Sequence, residues 1–305
     1  MVMGGWSNQN YHARSKSLPT RPHPLVSECD EHLWRLKALE SSACSWSPPG
    51  MSQRLAGLQD LQDCVSKLLL LRRTREAFAA HRREKWVDDV FDGSLRLLDM
   101  CSAAKDAIIH TKECVRELRS MLRRRSWGSA NAVANEVEKY IASRKVVKRA
   151  IQKAVSSVKG SSGGGKPSSI KDPETMALIG LLFDVEAASL NVFEALLCYA
   201  SGKKGRAKPT GWALVSKLMR ATKAHPPSST DQDAPDHQSG EANEFAAVDA
   251  AVDAAATRLS DAGAEGMGEQ LGKLEACVQD LEGGLEGLFR RLIRNRVSLL
   301  NILNN

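Results

Sequence analysis

The stretch LEACVQDLEGGLEGLFRRLIRNRVSLLNIL, residues 274–303, constrains the fold of this chain more than any other. Beginning at Leu271, the residues Leu271, Leu274, Val278, Leu281, Leu285, Leu288, Leu292, Asn295, Leu299 and Ile302 advance by steps of three and four without a slip. An α-helix turns once in about 3.6 residues, so these positions form a single stripe on a long helix. A stripe of this length must be covered by other helices or by a partner chain. Gly283, Gly284 and Gly287 lie off it, and each lowers helix propensity by about 1 kcal/mol, so the helix is expected to form only when packed. Asn295, the lone polar residue of the seam, is suited to fixing its register. The expected cover is internal, from the helices predicted below over 87–122 or 172–200, rather than a second chain.

The same period recurs upstream. A capping box at Ser27 and Asp30 predicts a helix through Leu33, Leu36 and Leu39, ended by SSACSWSPPG. A second helix is predicted over about 51–80, with Leu55, Leu58, Leu61, Val65 and Leu68 on one face. A third runs from Val87 through Val90, Leu97, Cys101, Ala104, Ile108, Val115 and Leu118 to Leu122, and a fourth from near Ser129 through Val133, Val137, Tyr140, Arg144, Val147 and Ile151 to Val158. The fifth, over about 172–200, is apolar on most faces and is expected at the centre. A short sixth is predicted at 212–221 and two more from Glu241 onward. Aromatic residues make up only 5% of the chain, and Leu and Ala fill its apolar positions, which suits helices better than strands. The expected fold is all-α: an elongated antiparallel multi-helix bundle with coiled-coil-like seams. It is read as one domain over 25–305, preceded by a disordered basic arm at 1–24 and interrupted by flexible linkers at 160–171 and 222–242.

Charge is segregated along the chain. Residues 121–160 carry ten basic residues against two acids, and 241–289 carry eleven acids against two bases. Lys145, Lys148, Arg149 and Lys153 form a candidate basic patch on the fourth helix. The expectation is that the acidic segment partly neutralises this patch; an exposed patch would instead suit an anionic membrane surface. Nucleic-acid binding is not expected, because only Trp127 and Tyr140 accompany the basic run and no recognition motif is present.

Catalytic chemistry finds little support in these residues. GSSGGGK, residues 160–166, approaches a phosphate-binding loop, but Pro167 stands where a hydroxyl is needed and the segment follows a helix, so it reads as a linker. The histidines have no metal-ligand spacing, and no nucleophile, base and oxyanion donor are grouped. An enzyme is not expected, nor any cofactor or metal. The seven cysteines are scattered, odd in number and without a CxxC pair, which argues against a disulfide framework and for a reducing compartment. The apolar run MALIGLLFDVEAASLNVFEALLCYA is interrupted by Asp184, Glu186, Asn191 and Glu194 and is expected in the core rather than across a bilayer. No apolar signal segment opens the chain, and three prolines break any amphipathic presequence helix before Glu28. The expected location is cytoplasmic, with peripheral membrane association as the second reading and organellar import the less expected one.

The N-terminal arm contains RSKSLP, residues 14–19. Arg14, Ser17 and Pro19 fit the R-S-x-S-x-P pattern of a phosphoserine ligand for 14-3-3 proteins. An Arg three residues before Ser17 suits a basophilic kinase, the phosphate would add about −1.5 to −2 charge for an Arg cluster to grip, and Pro19 would turn the chain away. YHARSKSLPTRPHP at 11–24, WVDDVFDGSLRLLDMC at 86–101, RRRS at 123–126 and the closing LLNIL together resemble the plant family of domain of unknown function 241, related to the Bypass-type proteins. That resemblance covers nearly the whole chain and implies an all-helical plant protein with no established activity and a link to root and shoot development. The expected function is a non-enzymatic helical interaction protein with a phosphorylatable arm; the alternative is a peripheral protein that binds anionic lipid through its basic helix. The oligomeric state is not legible in the sequence.

Overall fold

The computed structural model describes residues 23–41, 46–123, 130–159, 170, 172–203, 243–257 and 261–304. Among them are eight helices and no strand: α1 (Pro24–Ser41), α2 (Pro48–Leu70), α3 (Arg72–Ala80), α4 (Lys85–Arg123), α5 (Ala130–Lys159), α6 (Pro173–Ala200), α7 (Glu244–Thr257) and α8 (Asp261–Asn304). The all-α bundle is as expected. The predicted helix at 212–221, all of the predicted arm at 1–24 but His23 and Pro24, all of the linker at 160–171 but Ile170, and the whole linker at 222–242 lie outside the described residues, and Pro24 belongs to α1 instead of the arm.

Helix starts follow local chemistry. Ser47 caps α2, its Oγ accepting from the Gly50 amide at 3.3 Å, and Pro48 occupies the first turn, where its missing N–H has no partner to lose. Asp172 caps α6 in the same way, accepting from the Thr175 amide at 3.0 Å ahead of Pro173. Two boundaries differ from the sequence reading. α1 begins at Pro24, so Ser27 lies inside the helix instead of capping it. The helix expected over 51–80 is broken at Leu71, whose ψ of 136° is extended. Beside the break, Thr74 donates its hydroxyl to the Leu68 carbonyl, a side-chain bond that competes with helix continuation.

The ten seam positions of α8 are all buried, and Leu271, Leu274, Val278, Leu281, Leu285 and Leu288 are fully enclosed. Their cover is internal, as expected, but it comes chiefly from α4 and α2 rather than α6. α8 runs antiparallel to α4: Arg119 meets Glu275, Lys112 meets Glu282, Cys101 faces the Leu285 carbonyl and Arg296 reaches Phe91 and Ser94. It runs parallel to α2, with Gln59 bonded to the Gly284 carbonyl and Gln62 to Asn295. At about 1.5 Å per residue the 44-residue α8 extends for about 66 Å, so the bundle is elongated. Gly284 has a packing role the sequence did not disclose. A Cβ there would lie 3.0 Å from Leu55, so the missing side chain lets α2 and α8 approach closely.

Asn295 holds register through defined bonds. Its Nδ2 donates to the Gln62 carbonyl at 3.0 Å and to Gln62 Oε1 at 2.9 Å, its Oδ1 accepts from Ser66, and Gln62 in turn donates to Ser189 on α6 at 3.1 Å. A one-turn slip of α8 would leave these buried amides unpaired, which is the physical basis of the lock. One hydrophobic core continues from Val26 to Ile302. Within it α6 is enclosed by α1, α2 and α4. By length and composition α6 is also the one described helix able to cross a bilayer, contrary to the reading that its polar residues forbid it; its packing identifies it as the core helix that was expected.

The cysteine reading needs a correction. Cys29 and Cys64 are joined by a disulfide that ties α1 to α2, with their Cα atoms 5.9 Å apart. The two lie 35 residues apart in sequence, and only the antiparallel α1–α2 pairing brings them together. Cys101 and Cys277 are free and buried, as expected of small hydrophobes.

Candidate functional site

α5 has two faces with opposite roles. Its inner face carries Val137, Tyr140, Arg144, Val147 and Ile151, all buried at helical spacing. Arg144 would be costly among these apolar neighbours without a counter-charge. Asp249 on α7 supplies it: Arg144 Nε donates to Oδ1 at 2.9 Å and Nη2 to Oδ2 at 3.1 Å, a two-pronged pair completed by Nη2 to the Ala200 carbonyl at 3.1 Å. Tyr140 donates its hydroxyl to Asp249 Oδ1 at 3.2 Å, and Lys148 Nζ stands 2.8 Å from Oδ2. Burial pushes the Asp249 pKa upward, but bonds to Arg144 and the charges of Arg144 and Lys148 outweigh it and hold the carboxyl below its ordinary value. For Tyr140, burial dominates and pushes the phenol up. This node fixes α5 to α7 and sets how α5 is rotated.

That rotation leaves Lys145, Arg149 and Lys153 on the solvent side, with Val146 64% exposed beside them. None of the three has an ion-pair partner among the described residues, whereas Lys148 is committed to Asp249. The expected neutralisation by residues 241–289 is therefore partial. The acids of α8 turn to α4: Glu286 pairs with Lys105, Glu282 with Lys112, and Glu275 with Arg116 and Arg119. Sequence reasoning weighed charge by segment and missed Asp249. Its only signal was an acid standing in the Ala- and Val-rich run AAVDAAVDAAA, where a lone buried carboxylate calls for a basic partner.

The other candidates divide plainly. Leu271, Leu274, Val278, Leu281, Leu285, Leu288, Leu292, Asn295, Leu299 and Ile302 form the interior seam described above. Arg14, Ser17 and Pro19 lie outside the described residues, as do Lys166 and Pro167 of the GSSGGGK linker. Among the described residues no group of three His, Cys, Asp or Glu side chains is placed to hold a metal. Burial raises the thiol pKa values of Cys101 and Cys277 to about 12, and a protonated thiol is a poor nucleophile. Tyr199, also pushed up by burial, bonds to Glu244 and lies 3.7 Å from Cys277.

A family model described as Protein BPS1 matches residues 54–302. The chain belongs to the BPS1 family. The match runs from within α2 to the last turn of α8, so the bundle apart from α1 and the start of α2, the Asp249 node and the solvent face of α5 lie inside the BPS1 region. The arm bearing Ser17 lies outside it. No curated protein and no solved structure matches the chain. BPS1 membership supports a plant regulatory protein of development.

Proposed function

We propose that this BPS1-family chain is a non-enzymatic interaction protein, working in root and shoot development, whose helical bundle presents surfaces and an N-terminal arm to other macromolecules. The observation that carries this reading is that four buried reactive groups are committed to the interior: burial raises the Cys101 and Cys277 thiol pKa values, and the Tyr140 and Tyr199 hydroxyls are bonded to Asp249 and Glu244. In the arm, Arg14, Ser17 and Pro19 supply the pattern for phosphorylation and capture by a 14-3-3 dimer. Phosphorylated wild-type chain is expected to retain 14-3-3 in a pull-down, with Ser17→Ala losing it while the circular-dichroism helix signal stays unchanged. Equal capture of phosphatase-treated chain would overturn this reading.

A second reading is favoured by the three bases of α5 that have no ion-pair partner among the described residues. Lys145, Arg149 and Lys153 on one exposed face, with Val146 among them, suit an anionic bilayer surface. Sedimentation with phosphatidylserine-containing vesicles is expected to carry down the wild-type chain at low salt and to fade as salt shortens the Debye length. Lys145→Gln, Arg149→Gln and Lys153→Gln together should abolish it; retention by this triple variant would remove α5 as the contact.

A further inference from the structure

Near its C-terminal end α4 meets α8 around an open cleft of about 460 Å³ lined by Arg116, Arg119, Ser120, Arg123 and Glu275. The four α4 residues recur at helical spacing and share one face. Glu275 is the single acid in the lining. Arg119 Nη1 hydrogen-bonds its Oε2, and Arg116 Nε lies 3.5 Å from its Oε1. Arg123 has no ion-pair partner among the described residues. Three guanidinium groups against one carboxylate leave the cleft with a surplus of two positive charges.

Two features narrow what would fill it. Glu275 and the partial negative charge of the α4 C-terminus both oppose a bound anion, so a singly charged group gains little there. A ligand with clustered phosphates gains more, because each guanidinium offers two parallel N–H donors that match a phosphate edge. The volume also exceeds what one phosphate needs and falls within the roughly 300–1,000 Å³ range of small-molecule sites. Glu275 grips Arg119, which is 31% exposed, and holds Arg116 more loosely at 3.5 Å, while Arg123 has no ion-pair partner among the described residues.

We propose that this cleft binds a ligand with clustered phosphate groups, of the chemistry found in inositol polyphosphates and in phosphoinositide headgroups. Arg116 and Arg123 grip the phosphates, Arg119 is the positioned fork, and the Ser120 hydroxyl is a further donor. The site is separate from the α5 face and does not depend on it.

The test is calorimetric titration of the full chain with inositol 1,4,5-trisphosphate at about 0.15 M salt. The wild-type chain is expected to bind, and Arg116→Gln with Arg123→Gln is expected to weaken binding by about tenfold or more, the size expected on losing charge-assisted hydrogen bonds. Glu275→Gln should tighten binding severalfold although it loosens an α4–α8 contact, a sign that a merely structural role would not produce. Should Glu275→Gln fail to fold by thermal melt, Arg123→Gln alone, which breaks no ion pair among the described residues, still decides the matter. The Lys145, Arg149 and Lys153 triple variant should bind normally. A second arm uses phosphatidylcholine vesicles with phosphatidylinositol bisphosphate. Vesicle capture that the soluble trisphosphate competes away identifies the lipid as the source, and trisphosphate binding without vesicle capture identifies a soluble ligand. No binding by the wild-type chain, or equal binding by the Arg116 and Arg123 variants, overturns the proposal.

Discussion

Replacing Leu285 and Leu292 by Asp is expected to unfold the chain, not merely to release a partner. Both leucines lie on the α8 seam and are buried, Leu285 fully. Each substitution removes apolar packing worth several kcal/mol and puts a carboxyl group where no donor awaits it. Two such losses rival the roughly 5–15 kcal/mol that holds a typical domain folded. The glycines of α8 sharpen the effect, since a helix carrying Gly283, Gly284 and Gly287 has little stability away from its neighbours. A thermal melt by circular dichroism, set beside analytical sedimentation, distinguishes the outcomes. Loss of the helix signal supports the internal seam; a folded variant that only changes its state of association would show the seam to face another chain.

The second large effect is expected at Asp249. Changing it to Asn keeps the shape but leaves Arg144, only 3% exposed, without its counter-charge, and breaking a buried pair from one side costs about 3–5 kcal/mol. The pH dependence has a definite sign. A carboxyl whose folded pKa is depressed contributes stability above its unfolded value, about 3.9 for Asp, and loses that contribution as pH falls through the folded value. Urea unfolding should therefore show a wide gap between wild type and Asp249→Asn at neutral pH, narrowing below about pH 4 as the wild-type carboxyl takes up its proton. Adding Arg144→Met to the variant should restore part of the lost stability, because the orphaned charge is removed. A gap that stays constant with pH would mean that Asp249 contributes packing rather than charge.

Much of the architecture was legible before any coordinate, and for a local reason. The α8 seam is a periodic property of one segment, so its ten positions, including the polar Asn295, are found buried as a set. α6 was readable as central because apolar residues cover most of its faces, and the capping residue Asp172 marks its start. The basic patch was legible as composition, but its state was not. Among the described residues Lys148 is paired and Lys145, Arg149 and Lys153 are not, because the rotation of α5 is set by Arg144 reaching a carboxylate 105 residues away.

What the sequence by itself determined is therefore which residues turn inward: helical period and apolar content act within a few turns and need no knowledge of the neighbour. What only the tertiary structure decided is which neighbour each face meets. The Cys29–Cys64 link, the close approach of Leu55 at Gly284, the pairing of α8 acids with α4 bases and the assembly of Arg116, Arg119 and Arg123 around Glu275 all join residues distant in the chain. Such contacts depend on the relative height and rotation of whole helices. These are set by close packing summed over the entire bundle, and no single segment carries that information.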